Sequence, residues 1–432
     1  MSCSFQQSFF THAMRILILN SGSSSLKFRL VDYPSSASAS NFDPATILQG
    51  IVTGIGKESS LKITDPQRAT PIPTRQDILN HGQAVAWVWE SLQGINHQSG
   101  EARGEHGIAI DAVGVRVVHG GPRFTQSVLI NETVLGQIEE LSPLAPLHNP
   151  PCLEGIYQIR TLLGPQIPIV AVFDTSFHRT LPEQARTYAI PNEWAARHGI
   201  ERFGFHGIAH ASLADSYARY SSRPLEETRL ITFQLGQGCS VTAINKGTVI
   251  DTSMGFTPLE GLVMGTRCGD IDPAIIGYLA EHEHLSPQEI DHQLNTQSGL
   301  LGLSGQTSDM RQLLKALYEQ QDPRATLAIE VFCHRARKYL GAYLAVLGGA
   351  DAVIFGGGIG ERAPDIRARI CKGMDWCGLS LDCPRNLEVS DVQAGEAIPI
   401  HSNESTTELL VIGTNEESWV ARETFQCLRN AS

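Results

Sequence analysis

Two arginines set among apolar residues are the first candidates for chemistry. Arg116 lies in AVGVRVV (112–118) and Arg267 in MGTRCGD. A guanidinium in such company is costly unless it is paired or faces a ligand. Forked cations suit a carboxylate and a transferring phosphoryl group. Each could equally pair with a nearby aspartate, Arg267 with Asp270 for example. Asp174 closes the apolar run IPIVAVF (167–173), where ligands gather in open α/β sheets. Glu416 falls in the first turn of an expected helix. With Asn20 these acids could hold Mg²⁺, directly or through waters, although Glu416 alone would also complement a helix dipole. His206 and His210 in GFHGIAH are four apart, which on a helix would suggest zinc. However, no Glu follows the first His and Gly207 is expected to break the helix. His206 therefore reads better as a hydrogen-bond donor reaching into a cleft.

Two Gly/Ser turns could cradle phosphate, since backbone N–H groups without bulky neighbours approach an anion closely. They are NSGSSSLK (20–27), to which Lys27 adds a charge, and QLGQGCS (234–240), where Gly236 and Gly238 free the backbone. Either could be only a tight turn. Neither is a P-loop, and the GGGIG turn (356–360) lacks the rest of a dinucleotide fingerprint.

Strands must carry these turns. Apolar or alternating runs predict strands at 15–20, 26–30, 112–118, 167–173, 230–235, 241–245, 352–355 and 409–412. Residues 84–92 read as a helix, the Ser/Ala stretch 35–40 as a loop, and LSPLAPLHNPP (141–151), with four prolines, as irregular. Thr414 with Glu417 predicts a capping box for the last helix. The strand–turn–strand unit at 230–245 echoes that at 15–30, which suggests two related α/β domains.

At 432 residues the chain is long enough for at least two domains. Its net charge of -12 makes nucleic acid and membrane surfaces poor partners. The nine scattered cysteines match no zinc pattern and fit a reducing, cytoplasmic setting. Residues 1–13 read as an N-terminal extension rather than a secretory signal.

In this order the pieces resemble the acetate kinase family, within the superfamily that holds actin, the hexokinases and the heat-shock chaperone ATPases. The resemblance runs from about Arg15 to the C-terminal helix. Its most specific stretch is DTSMGFTPLEGLVMGTRCGDIDPA (251–274). LILNSGSSSLKFRL, RVVHGG, LAPLHNPP, VFDTSFH, RFGFHGIAH and TNEE match as well. The resemblance implies an α/β fold of two actin/ribonuclease H-like domains, each with a central mixed sheet, and an active site in the interdomain cleft. The expected boundaries are 14–174 plus 414–432 for the first domain and 175–413 for the second, which would bind nucleotide and dimerise.

By the same resemblance, Asn20 and Glu416 organise Mg²⁺, with Mn²⁺ as an alternative, and Lys27 touches the nucleotide phosphates. Arg116 and Arg267 bind acetate and the transferring phosphoryl group, Asp174 is the essential acid, and His206 stabilises the transition state. Val118, Leu147, Phe205 and Pro258 enclose the methyl group. Gln234, Leu235, Gly236, Gln237 and Gly238, with Asp309, Met310 and Arg311 and with Gly358, Ile359, Gly360, Glu361 and Arg362, line the ATP site. The implied reaction is reversible phosphoryl transfer from ATP to acetate, giving ADP and acetyl phosphate, in a homodimer. Gln234, Gln237, Cys239 and Arg362 depart from the family's usual His, Asn, Ser and Asn, all on the nucleotide side. Propionate is the nearest alternative substrate. A sugar kinase and a non-catalytic actin-like nucleotide switch are the alternatives of other kinds.

Overall fold

The structure, a computed structural model, describes residues 13–34, 44–65, 72–98 and 108–431. The loop expected at 35–40, and all of the expected extension except residue 13, lie outside the described residues. The chain divides into two compact units, Met1–Ser176 with Glu416–Ser432, and Phe177–Asn415.

The sheet of the first unit contains β1 (Met14–Ser21), β2 (Ser25–Tyr33), β3 (Ala45–Thr53), β4 (Lys57–Thr64), β5 (Ile72–Ile78), β6 (Ala112–Val117), β7 (Val128–Leu129) and β8 (Ile169–Phe173). Their order is β5-β4-β3-β2-β1-β6-β8-β7. The second unit holds β9 (Arg229–Leu235), β10 (Cys239–Asn245), β11 (Thr248–Thr252), β12 (Ala352–Gly356), β13 (Ala397–Pro399) and β14 (Glu408–Ile412), in the order β11-β10-β9-β12-β14-β13. The echo seen in the sequence is a shared topology. From β3 to β7 in the first sheet and from β11 to β13 in the second, neighbours run antiparallel, antiparallel, parallel, parallel, antiparallel. The β4–β5 hairpin is the first sheet's addition.

The helices that bear on the site are α1 (His81–Gln98), α2 (Asn149–Leu163), α3 (Gly207–Ser221), α4 (Gly357–Arg362) and α5 (Glu416–Ala431). The central parallel strands β6, β8, β12 and β14 are apolar almost throughout, as strands covered on both faces must be. Leu17, Leu19, Val113, Val115, Ile156 and Ala171 belong to the first core; Leu213, Leu230, Ile354 and Leu410 belong to the second. Each large side chain so buried contributes about 1.5–3 kcal/mol. Helix α5 packs on β1, β6 and β8. It can approach β6 closely because Gly114 has no Cβ; one placed there would fall 2.3 Å from Thr424 Oγ1. That close packing sets where Glu416, the first residue of the helix, stands.

Three local expectations need correction. The segment 141–151 is not irregular throughout: Asn149, Pro150 and Pro151 open α2. Proline is tolerated in a first turn because N–H groups there have no intrahelical partner. Gly207 starts α3 rather than breaking a helix. The capping box at Thr414 is not formed. The Thr414 hydroxyl accepts the Gly357 N–H at 3.0 Å and lies 3.0 Å from Glu361 Oε1, and α5 begins two residues later. Among the described residues no helix is long and apolar enough to cross a membrane.

Candidate active site

In the first unit, β1, β6, β8 and α5 bring four of the expected residues together. Arg116 projects from β6, and Asp174 follows β8 with its backbone N–H on Val117 O at 3.0 Å. The guanidinium grips Asp174 with two arms, Nε to Oδ1 at 3.1 Å and Nη2 to Oδ2 at 2.6 Å. A third donor, Nη1, reaches Asn20 Oδ1 at 2.9 Å, and Asn20 Nδ2 donates to Glu416 Oε2 at 2.9 Å. Glu416 Oε2 is also 4.0 Å from Arg116 Nη1. Burial pulls the Arg116 guanidinium down, but Asp174 and Glu416 outweigh it and hold it above its ordinary range. Among the described residues one N–H on each Nη makes no further hydrogen bond. Lys27 is exposed on β2 directly opposite Asn20, so both side chains share one face of the hairpin.

These oxygens fit a divalent cation only in a particular way. Among the described residues no three His, Cys, Asp or Glu side chains gather as a metal cage. Mg²⁺ commonly takes one or two carboxylates and completes its shell with water and substrate phosphate. Glu416 offers one such carboxylate, with Asn20 beside it, whose amide oxygen also accepts from Arg116 Nη1 at 2.9 Å.

In the second unit the β9–β10 turn is the organising feature. Residues 236–238 link cross-strand partners Leu235 and Cys239. A Cβ on Gly238 would lie 2.6 Å from Arg267 Nη2, 3.1 Å from His206 Cε1 and 3.2 Å from His206 Nε2. The missing side chain thus leaves room for both donors beside the backbone. His206 has φ 58°, a left-handed conformation uncommon outside glycine, and caps α3. Strain of this kind persists where the surroundings over-determine it.

Arg267 does not pair with Asp270, which binds Arg335 at 3.2 Å and accepts from Tyr339. Arg267 Nη1 donates to Pro258 O at 2.8 Å, and among the described residues no carboxylate faces it. Burial therefore lowers its pKa. The contrast with Arg367 is informative. Arg367 is buried and likewise faces no carboxylate among the described residues, but all five of its N–H donors are used, on Asn386 Oδ1 and on the carbonyls of Gly360, Glu361, Asn386 and Val389. Arg367 staples the chain together, whereas Arg267 keeps donors in reserve.

The other expected residues divide. Val118 and Phe205 are buried and Pro258 is half-buried, but Leu147 is 57% exposed. Asp309 caps the helix that opens at Met310 and pairs with Arg311 at 2.6 Å. Gly358 and Arg362 are exposed, Ile359 is half-buried and Gly360 buried. Glu361 is buried, and its carboxylate holds the N–H groups of Gly357 and Thr414 at 3.0 Å. Through Oε1 it shapes the turn. Sequence reasoning missed Ser240, whose hydroxyl lies 2.8 Å from both His206 Nδ1 and His210 Nε2. Its one visible signal is its place, two residues after the Gly-Gln-Gly turn and across from Gln234.

Residues 15–422 match the acetokinase family model. The chain belongs to the acetokinase family. The acetate kinase of Chloroherpeton thalassium is 46% identical over 426 residues, covering 96% of this chain and 99% of that one. The crystal structure of the Porphyromonas gingivalis acetate kinase superposes with a TM-score of 0.85 at 37% identity, covering 96% and 100%. A propionate kinase from Francisella tularensis superposes with a TM-score of 0.83 at 38% identity, covering 96% and 99%.

Within this chain the unusual turn residues are accommodated locally. Gln234 Oε1 accepts from Thr414 Oγ1 at 3.2 Å, which joins it to the Glu361 network. Gln237 is exposed, and its carbonyl accepts the Gly265 N–H at 2.9 Å. Cys239 is buried beneath the turn, with Sγ donating to Gly236 O at 3.3 Å. Burial pushes that thiol up to about 12, so it is an inert brace.

Proposed function

We propose that this chain is a kinase that transfers the γ-phosphoryl group of ATP to acetate, reversibly, giving acetyl phosphate and ADP. The observation that carries the reading is Arg267, a half-buried guanidinium that faces no carboxylate among the described residues and stands with His206 beside a bare glycine turn. A desolvated cation with donors in reserve calls for an anion.

A carboxylic acid is already ionised at neutral pH, so the reaction needs no strong base. One acetate oxygen forms a bond to the γ-phosphorus while the bridging oxygen to the β-phosphorus departs with its electron pair on ADP. The work left to the protein is to hold two anions together and to neutralise charge on the phosphoryl oxygens. Arg116, Arg267 and His206 take that task. Asp174, already gripped by two arms of Arg116, orients that guanidinium and the substrate rather than removing a proton. Mg²⁺ would be held by Asn20 and Glu416 and would supply charge neutralisation on the phosphates. Lys27 lends a further positive charge, and the turn at 234–238, with 309–311 and 358–362, receives the nucleotide. Val118, Phe205 and Pro258 limit the acid to a short chain. Propionate is the second acid, in keeping with the propionate kinase among the similar structures.

The active form is a homodimer made through the second unit. The helix Ala274–His282, which buries none of its residues and exposes Ile275, Ile276 and Tyr278, supports this assignment. The free cysteines of the described residues fit the reducing cytoplasm.

The test is a coupled assay on purified protein with acid and phosphoryl donor varied together, and hydroxylamine to trap acyl phosphate. Acetate with Mg·ATP should give the hydroxamate. ATP binding without any trapped product would mean a nucleotide switch. A clean preference for pyrophosphate would overturn the choice of donor.

A further inference from the structure

A buried chain of hydrogen bonds leads to His206 from the far side of its ring. Thr232 on β9, His210 on α3 and Ser240 on β10 are all fully buried. Thr232 Oγ1 lies 2.7 Å from His210 Nδ1, His210 Nε2 2.8 Å from Ser240 Oγ, and Ser240 Oγ 2.8 Å from His206 Nδ1. The direction of this chain follows from satisfying each proton. Among the described residues the Thr232 hydroxyl has His210 Nδ1 as its one partner. If it accepted a proton there, its own hydrogen would be buried and unpaired, which is expensive. It therefore donates to Nδ1. Burial holds His210 well below its ordinary range, so the ring is neutral and its single proton sits on Nε2. Nε2 then donates to Ser240 Oγ, and the serine's own proton goes on to His206 Nδ1.

We infer that Ser240, oriented by His210 and Thr232, is a positioning residue that holds His206 as the neutral tautomer protonated on Nε2. That nitrogen lies near Gly238, 3.2 Å from where a Cβ would stand, and Arg267 Nη2 lies 2.6 Å from the same point. An N–H there donates to a phosphoryl oxygen; a lone pair there would repel it. The use of the donor rests on the function proposed above, whereas the tautomer does not.

The experiment is ¹⁵N NMR of histidine-labelled wild-type protein. The His206 signal is assigned by its absence in His206→Asn, and that of His210 by its shift in the isosteric Thr232→Val. Protonation on Nε2 of both rings is expected. Protonation of either ring on Nδ1 overturns the inference, whether or not any variant folds. Kinetics supply the second arm. Ser240→Ala should lower kcat by ~10-fold or more while the KM for acetate and for ATP each stay within about threefold, and Ser240→Thr, which keeps the hydroxyl, should recover most of the rate. An unchanged kcat in a folded Ser240→Ala protein also overturns it. If wild type forms no acyl phosphate, the proposed function fails and the NMR arm still decides the tautomer.

Discussion

Gly238→Ala tests whether Arg267 and His206 act from fixed positions. Gly238 does not occupy the left-handed region, so alanine fits the backbone there. Its new methyl group would fall 2.6 Å from Arg267 Nη2 and 3.1 Å from His206 Cε1. Ordinary contact begins near ~3.5 Å, so the end of the guanidinium must retreat by about 1 Å and the ring by about 0.4 Å. Retreat is resisted on both sides. Arg267 Nη1 is tied to Pro258 O at 2.8 Å, and the His206 ring is tied to Ser240 at 2.8 Å. Misplacing a positioned group by 1 Å costs roughly 10²-fold, or about 2.7 kcal/mol of transition-state stabilisation. We expect kcat/KM for acetate to fall by about 30- to 100-fold. The fold should be spared, because a compatible Gly→Ala change adds about 0.4–1 kcal/mol through the unfolded chain. Hydroxamate trapping at varied acetate measures the first quantity and thermal unfolding the second. A kcat/KM within threefold of wild type, with Tm not lowered, would show that the reacting groups do not pass beside Gly238.

Asp174→Asn leaves the Arg116 guanidinium facing a neutral amide, and should cut turnover by roughly 10²–10³-fold; near-normal turnover with Mg·ATP binding intact would remove both roles given to this carboxylate. Val118→Ala should shift kcat/KM toward propionate and butyrate by roughly 1–3 kcal/mol, and an unchanged ratio of acids would take Val118 out of the pocket. Burial holds His178 at about 4, only partly offset by its hydrogen bond to Phe205 O. Between that value and the unfolded 6.5 the unfolded chain binds a proton that the native chain does not. Stability is therefore full above ~6.5 and falls as pH drops, by about 3 kcal/mol in total. Urea unfolding at pH 7.5 and pH 5 should show the loss, and equal stability at both would refute it. Ile276→Glu places a charge on the exposed helix Ala274–His282 and should give monomers in sedimentation equilibrium; persistence of dimers would move the interface elsewhere.

The strands and their turns were legible because their signals are local. A buried parallel strand is a short apolar run, a half-buried one alternates, and glycine and serine mark the turns at 20–27 and 234–240. Even the duplication was visible as a faint echo, since both units spell strand–turn–strand in the same way. Arg116 and Arg267 stood out because a charge in apolar company must be explained. Residue types alone, however, did not decide what each of them meets. Arg116 finds Asp174 because β6 and β8 are parallel neighbours whose ends lie side by side, and Arg267 misses Asp270 because Arg335 and Tyr339 reach that carboxylate first. The same holds for Glu361, spent on two backbone N–H groups, and for Thr414, drawn away from its expected cap. Local propensity depends on residues a few positions apart and is written along the chain. Hydrogen-bond partners are chosen by strand register and by competition among groups far apart in sequence, and that choice is made only when the sheets assemble.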